Sequence, residues 1–87
     1  MNMCIYGTIA KGVETLRARV EHNMERGANK FCSEWKLADT GNNGFVWLGN
    51  ITDVDGMGAF LSTDEEVKWD KDNGCVYKVY TMSEIPE

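Results

Sequence analysis

The chain has 87 residues, with nine Lys and Arg against fourteen Asp and Glu for a net charge of -5, and 43% of its residues are apolar. That balance argues against nucleic acid, whose binders cluster Lys and Arg on phosphates, and implies no membrane surface; the composition excludes a disordered or low-complexity chain. A single domain over residues 1–87 is expected, and one this short buries only about 60 to 65% of the surface its unfolded form exposes, so help from a partner is expected too.

The opening MNMCIYGTIAKG lacks a charged n-region and a long apolar h-region, and no apolar run approaches the roughly 18 residues of a spanning helix. A soluble, cytoplasmic protein is the expectation. Cys4, Cys32 and Cys75 are odd in number and form no C-x-x-C pair, so neither a disulfide framework nor a zinc site is signalled.

Met3, Ile5, Gly7 and Ile9 alternate with Cys4, Tyr6 and Thr8, the period of a strand. From Val13 the period changes: Val13, Leu16, Val20 and Met24 share one arc at about 100° per residue, which predicts an amphipathic helix over about 11–26, stopped by Gly27. Next, Phe31, Ser33, Trp35 and Leu37 alternate with Cys32, Glu34 and Lys36, the cluster Thr40-Gly41-Asn42-Asn43-Gly44 makes a turn, and FVWLGNI resumes strand chemistry. These two strands form a hairpin.

Thr52 or Asp53 caps a short helix whose Val54, Met57 and Leu61 are spaced for one face. Ser62 with Glu65 three residues on is a capping-box pattern, so the helix should break at Ser62 and restart, running to about Asn73 before Gly74 with Val67 as its apolar anchor. CVYKVYTM is the last strand and SEIPE a tail. The order predicts an α+β, ferredoxin-like βαββαβ fold: a four-stranded antiparallel sheet with its helices on one face.

On that fold Met3, Ile5, Ile9, Phe31, Trp35, Leu37, Phe45, Trp47, Ile51, Tyr77 and Val79 face the helices, and the two tryptophans are packing residues. The opposite face keeps Tyr6, Val46, Leu48, Val76, Tyr80 and Met82. That second face is too apolar to leave in water, and the simplest cover is a second copy of the chain in a two-fold homodimer.

The strand IYGTIAKG leading into a helix, the hairpin, the GAFLSTDEEVKW segment with its serine break, and the closing VYKVYTM strand together resemble the dimeric α+β barrel superfamily. This group includes antibiotic-biosynthesis-type monooxygenases and stress-responsive barrel proteins. The resemblance spans nearly the whole chain, but it lies in patterns and not in a catalytic signature. It implies two protomers with their sheets face to face around a cavity that takes a small, largely apolar molecule. No position matches the Asn, Trp and His arrangement of the cofactor-independent oxygenases in the group.

Candidate ligand-binding residues follow from strand parity: Tyr6, Thr8, Glu34, Asn50, Lys78 and Tyr80 share the second face, with Lys36 beside them, and a few polar groups among apolar walls are what orients a small guest. A buried Lys78 would lose charge to desolvation unless Glu34 paired with it, whereas an edge lysine would simply reach solvent. Gly7 and Gly49 fall on the other parity, where missing side chains would let the strands coil and open one end of a barrel.

His22, the one histidine, falls on the polar side of its helix and nominates neither a base nor a metal ligand. Asp53-Val54-Asp55-Gly56 and Asp70-Lys71-Asp72-Asn73-Gly74 lack the ligand spacing and downstream Glu of a calcium loop. There is no phosphate-binding glycine loop and no nucleophile motif, so no catalytic residue, metal or cofactor is nominated. The leading functional expectation is a homodimeric barrel holding a small apolar or aromatic ligand between its sheets. A cofactor-independent monooxygenase-like enzyme is the alternative, and a structural dimer with a filled barrel the second.

Overall fold

A computed structural model of the protein describes residues 1–86, and its elements follow the predicted order. Strand β1 (Met3–Ile9) leads into helix α1 (Val13–Arg26), and a short 3-10 turn (Ala28–Lys30) precedes the hairpin of β2 (Cys32–Gly41) and β3 (Gly44–Ile51). Helices α2 (Val54–Leu61) and α3 (Asp64–Asn73) then return the chain to β4 (Cys75–Thr81). The strands make one antiparallel four-stranded sheet in the order β2-β3-β1-β4, so the open edges are β2 and β4.

Local chemistry accounts for the turns. The hairpin closes on Asn42 and Asn43, both at positive φ (52° and 62°), as a two-residue hairpin turn of the primed kind requires. Gly74 ends α3 in the left-handed region at φ 63°, and an added Cβ there would lie 2.6 Å from the Ala10 side chain. Asn2 extends the pairing of β1 with β3: its side chain donates to the Ile51 carbonyl at 2.9 Å and accepts from the Ile51 amide at 2.8 Å.

The core lies between the helices and the sheet face formed by the odd-numbered strand residues. Ile9, Leu37, Phe45, Trp47, Ile51 and Cys75 are buried there with Val13 and Leu16 of α1 and Met57 of α2, while Met3, Ile5, Trp35 and Tyr77 pack against them half-buried. Val79 shares this parity but is 50% exposed near the end of edge strand β4. The glycines do not open the sheet. Trp47 lies over Gly49, its ring 2.1 Å from where a Cβ would stand, and at Gly7 the β4 backbone approaches just as closely.

Parity fails at the start of β2. The register shifts between Cys32 and Glu34, a bulge that inserts Ser33, so Cys32 turns into the core and Ser33 is exposed, the reverse of the expected alternation. From Glu34 to Asp39 the pairing is regular, and Trp35 and Leu37 face the helices as predicted; a second shift falls between Asp39 and Gly41.

The helical region does break, but one residue later than expected. Ser62 ends α2, its amide bonded to the Gly58 and Ala59 carbonyls, and Thr63 in extended backbone caps α3 by accepting from the Glu66 amide at 3.4 Å. Asp53 caps α2 through the Gly56 amide at 2.9 Å. Two expected anchors are also outside the core: Val67 and Val54 are exposed, and α3 buries Glu66 instead. Thr63→Ala should therefore cost about 0.5 to 2 kcal/mol in urea unfolding, whereas Ser62→Ala should stay within about 0.5 kcal/mol. The reverse ranking would restore the cap to Ser62.

Candidate functional site

The even-numbered strand residues build the face that no helix covers. Cross-strand register sets them in rows: Lys36, Leu48, Cys4 and Tyr80 in one, and Ala38, Val46, Tyr6 and Lys78 in the next. Tyr6 is 55% exposed, Val76 70% and Tyr80 49%, although cross-strand neighbours on one face normally shield one another. Leu48 and Val46, on the inner strand β3, are half-buried.

Four of the six predicted residues meet in one place. Tyr6, Thr8, Lys78 and Tyr80 line a groove of about 650 Å³ that runs from β4 across β1 to the hairpin turn, where Thr40 and Asn42 form its far wall. Its polar groups are hydroxyls, an amide and the Lys78 ammonium; no lining residue is acidic. Such a groove can orient a guest by hydrogen bonds and a positive charge; its proton-bearing groups are phenols and an ammonium, with no carboxylate or imidazole among its lining residues.

Glu34 and Asn50 share the face but not the groove. They pair across β2 and β3 at the other end of the sheet, where the Asn50 amide donates to the Ser33 hydroxyl at 2.7 Å. Glu34 and Lys78 stand on opposite edge strands, so they do not pair within one chain, and Lys78 reaches solvent. His22 is exposed on α1. Among the described residues no cluster of His, Cys, Asp or Glu is placed to hold a metal, and no helix is long and apolar enough to cross a membrane.

Comparison with known proteins gives no match: no family model, no curated protein and no solved structure is significantly similar to this chain. The site must speak through its own geometry.

A second polar constellation, absent from the sequence reading, lies inside the helix layer. The Glu66 carboxylate, 4% exposed, accepts from Arg19, from the Asn23 amide at 3.1 Å and from Arg26 at 3.0 Å. Each guanidinium also stacks on an aromatic ring, Arg19 on Trp69 and Arg26 on Phe60, both 5.4 Å from the centroid. Below it, Tyr77 donates to Asp70 at 3.3 Å; burial, reinforced by the Asp70 charge, pushes the Tyr77 phenol up to about 12, while burial raises the Asp70 carboxyl. Only i to i+3 and i+4 spacings are legible in one helix, and these groups come from two helices and a strand.

Removing the buried anion takes from Arg19 its closest partner and from the Asn23 amide its acceptor, while Arg26 keeps Glu65, so Glu66→Ala should cost about 3 kcal/mol, measured by chemical unfolding. The neighbouring Glu65 is a different case. It accepts from Arg26 at 2.6 Å at the surface, which holds its carboxyl below the usual glutamate range. Its contribution is present above the unfolded pKa of about 4.3 and is lost as pH falls through the lower folded value. Thermal melts from neutral to acid pH should show a smaller loss of stability in Glu65→Gln than in the parent chain.

Proposed function

We propose that this chain is a ferredoxin-like protomer of a homodimeric α+β barrel that binds a small apolar or aromatic molecule between its two sheets. The βαββαβ order, with β1 and β3 as inner strands, supports the fold assignment. The observation that carries the functional reading is the uncovered sheet face, where Tyr6, Val76 and Tyr80 expose about half or more of their surface beside a groove of about 650 Å³. Two copies related by a two-fold axis would bury these rows against each other and turn each open groove into an enclosed space. Tyr6, Thr8, Lys78 and Tyr80 would line that space, and Glu34 and Asn50 would fall on the rim of the interface.

The groove's lining residues include no carboxylate and no imidazole, which favours binding over catalysis by a base of near-neutral pKa, and no residue there adds support to the oxygenase-like alternative. A stable dimer of this kind would bury more than roughly 2,000 Å² in total.

Cys4 offers a direct reporter because it is half-buried in the same row as Tyr80, on the face that the dimer would cover. Cys32 and Cys75 are buried in the core, and burial pushes the Cys75 thiol up to about 12, so neither should react with a thiol reagent before unfolding. Alkylation of Cys4 should slow as protein concentration rises through the dimer dissociation constant, and Tyr80→Glu should abolish that dependence. Cys4 labelling that is independent of concentration, together with a 9.8 kDa species alone in sedimentation equilibrium, would remove the dimer. Native mass spectrometry of the purified dimer should find a retained small molecule; its consistent absence would leave the filled, structural dimer.

A further inference from the structure

The helix layer does not close fully on the sheet. A cavity of about 90 Å³ lies between them, walled mostly by apolar side chains of β1, β3, α1 and α2, among them Met3, Met24 and Met57. Protein interiors rarely leave voids larger than a water molecule, and this one opens in part to its surroundings, so a small molecule can reach it.

Three of its lining residues carry buried polar atoms that have no partner among the described residues, the Nε of Arg19 being one of them. Trp47 is 6% exposed and Asn23 7%, yet the Trp47 indole nitrogen and the Asn23 side-chain oxygen form no hydrogen bond. The orientation of the amide is fixed by its other end, because the Asn23 Nδ2 group donates to Glu66 at 3.1 Å and leaves the oxygen as the free atom. Buried polar groups are paired in roughly nine cases of ten, and here three around one cavity, on α1 and β3, are not.

The chemistry of the missing partner follows. The indole N–H and the Arg19 Nε–H only donate and the amide oxygen only accepts, so an occupant that meets them both accepts and donates; a hydroxyl, with two lone pairs and one proton, has both capacities. A neutral occupant suits the site, since the charges of Arg19 and Arg26 are matched by Glu65 and Glu66 and the Asp70 carboxyl already accepts from Tyr77. The rest of it is apolar, to suit walls whose methionines adapt to shape. One water needs only about 10 to 15 Å³ of such space, so the cavity of about 90 Å³ has room for a molecule of several heavy atoms.

We propose that the space between helices and sheet is a binding site for a small neutral alcohol, oriented by the Trp47 indole N–H and the Asn23 carbonyl oxygen. The site is separate from the uncovered sheet face and does not depend on dimer formation. The full chain, labelled with nitrogen-15, would be titrated with 2-propanol and, in a parallel arm, with acetone, which has the same size and accepts a hydrogen bond but cannot donate one. Trp47→Phe assigns the Trp47 indole resonance.

The expected result is a saturable shift of that resonance by 2-propanol, at a concentration about fivefold to tenfold lower than acetone requires, the worth of one hydrogen bond. The indoles of Trp35 and Trp69 should drift only with bulk solvent. Asn23→Leu should remove the preference for the alcohol. Should that variant fail to fold because Glu66 loses a donor, Leu61→Phe, which narrows the cavity while keeping both polar atoms, should weaken both probes. Linear, unsaturated drift of all three indoles in both arms would overturn the proposal and leave a cavity that holds water alone.

Discussion

The carboxylate of Glu66 is where the helix layer is tied together. Helix α3 has little apolar surface to offer: Val67 is exposed, Trp69 is half-buried, and the one residue it buries fully is an acid. Removing a carboxylate from water is unfavourable unless its lone pairs are satisfied, and here two guanidiniums and an amide from α1 satisfy them. The position of α3 over α1 is thus set by directional charged hydrogen bonds, which tolerate little sliding, where apolar contact would tolerate more.

That requirement explains the break between α2 and α3. In an unbroken helix the face occupied by Met57 and Leu61 would continue to Asp64 and Lys68, both charged and exposed as observed. Ending α2 at Ser62 and restarting at Thr63 resets the phase, so that Glu66, Trp69 and Asp70 turn toward α1 and the sheet. Thr63 serves the new start twice, accepting from the Glu66 amide and donating to the Phe60 carbonyl at 3.1 Å.

A single layer of helices has two further consequences. One sheet face is left with no cover from its own chain, which concentrates Tyr6, Val76 and Tyr80 at the surface beside Lys78. The helix layer itself is thin at α2, an eight-residue helix with Gly56 and Gly58 inside it, and the Phe31 ring packs on Gly56 where a side chain would clash. Small residues bring that end of the layer close to the turn after α1, and beside it the cavity under Asn23 and Trp47 persists.

Sequence periodicity by itself determined the order of the strands and α-helices, the two faces of the sheet, and the shared parity of Tyr6, Thr8, Glu34, Asn50, Lys78 and Tyr80. Alternation in a strand and the helical repeat are local properties, legible because each residue's direction follows from its neighbours. What depended on the third dimension was different in kind. The bulge at Ser33 reverses parity for Cys32 because pairing with β3 absorbs an extra residue. Thr63, and not Ser62, caps α3 because only that phase delivers Glu66 to Arg19, Asn23 and Arg26, residues some forty positions away. Glu34 and Asn50 left the groove since parity assigns a face but not a place along it. The cavity too was invisible, because an unfilled volume belongs to no residue and arises only where α1, α2 and the sheet fail to meet.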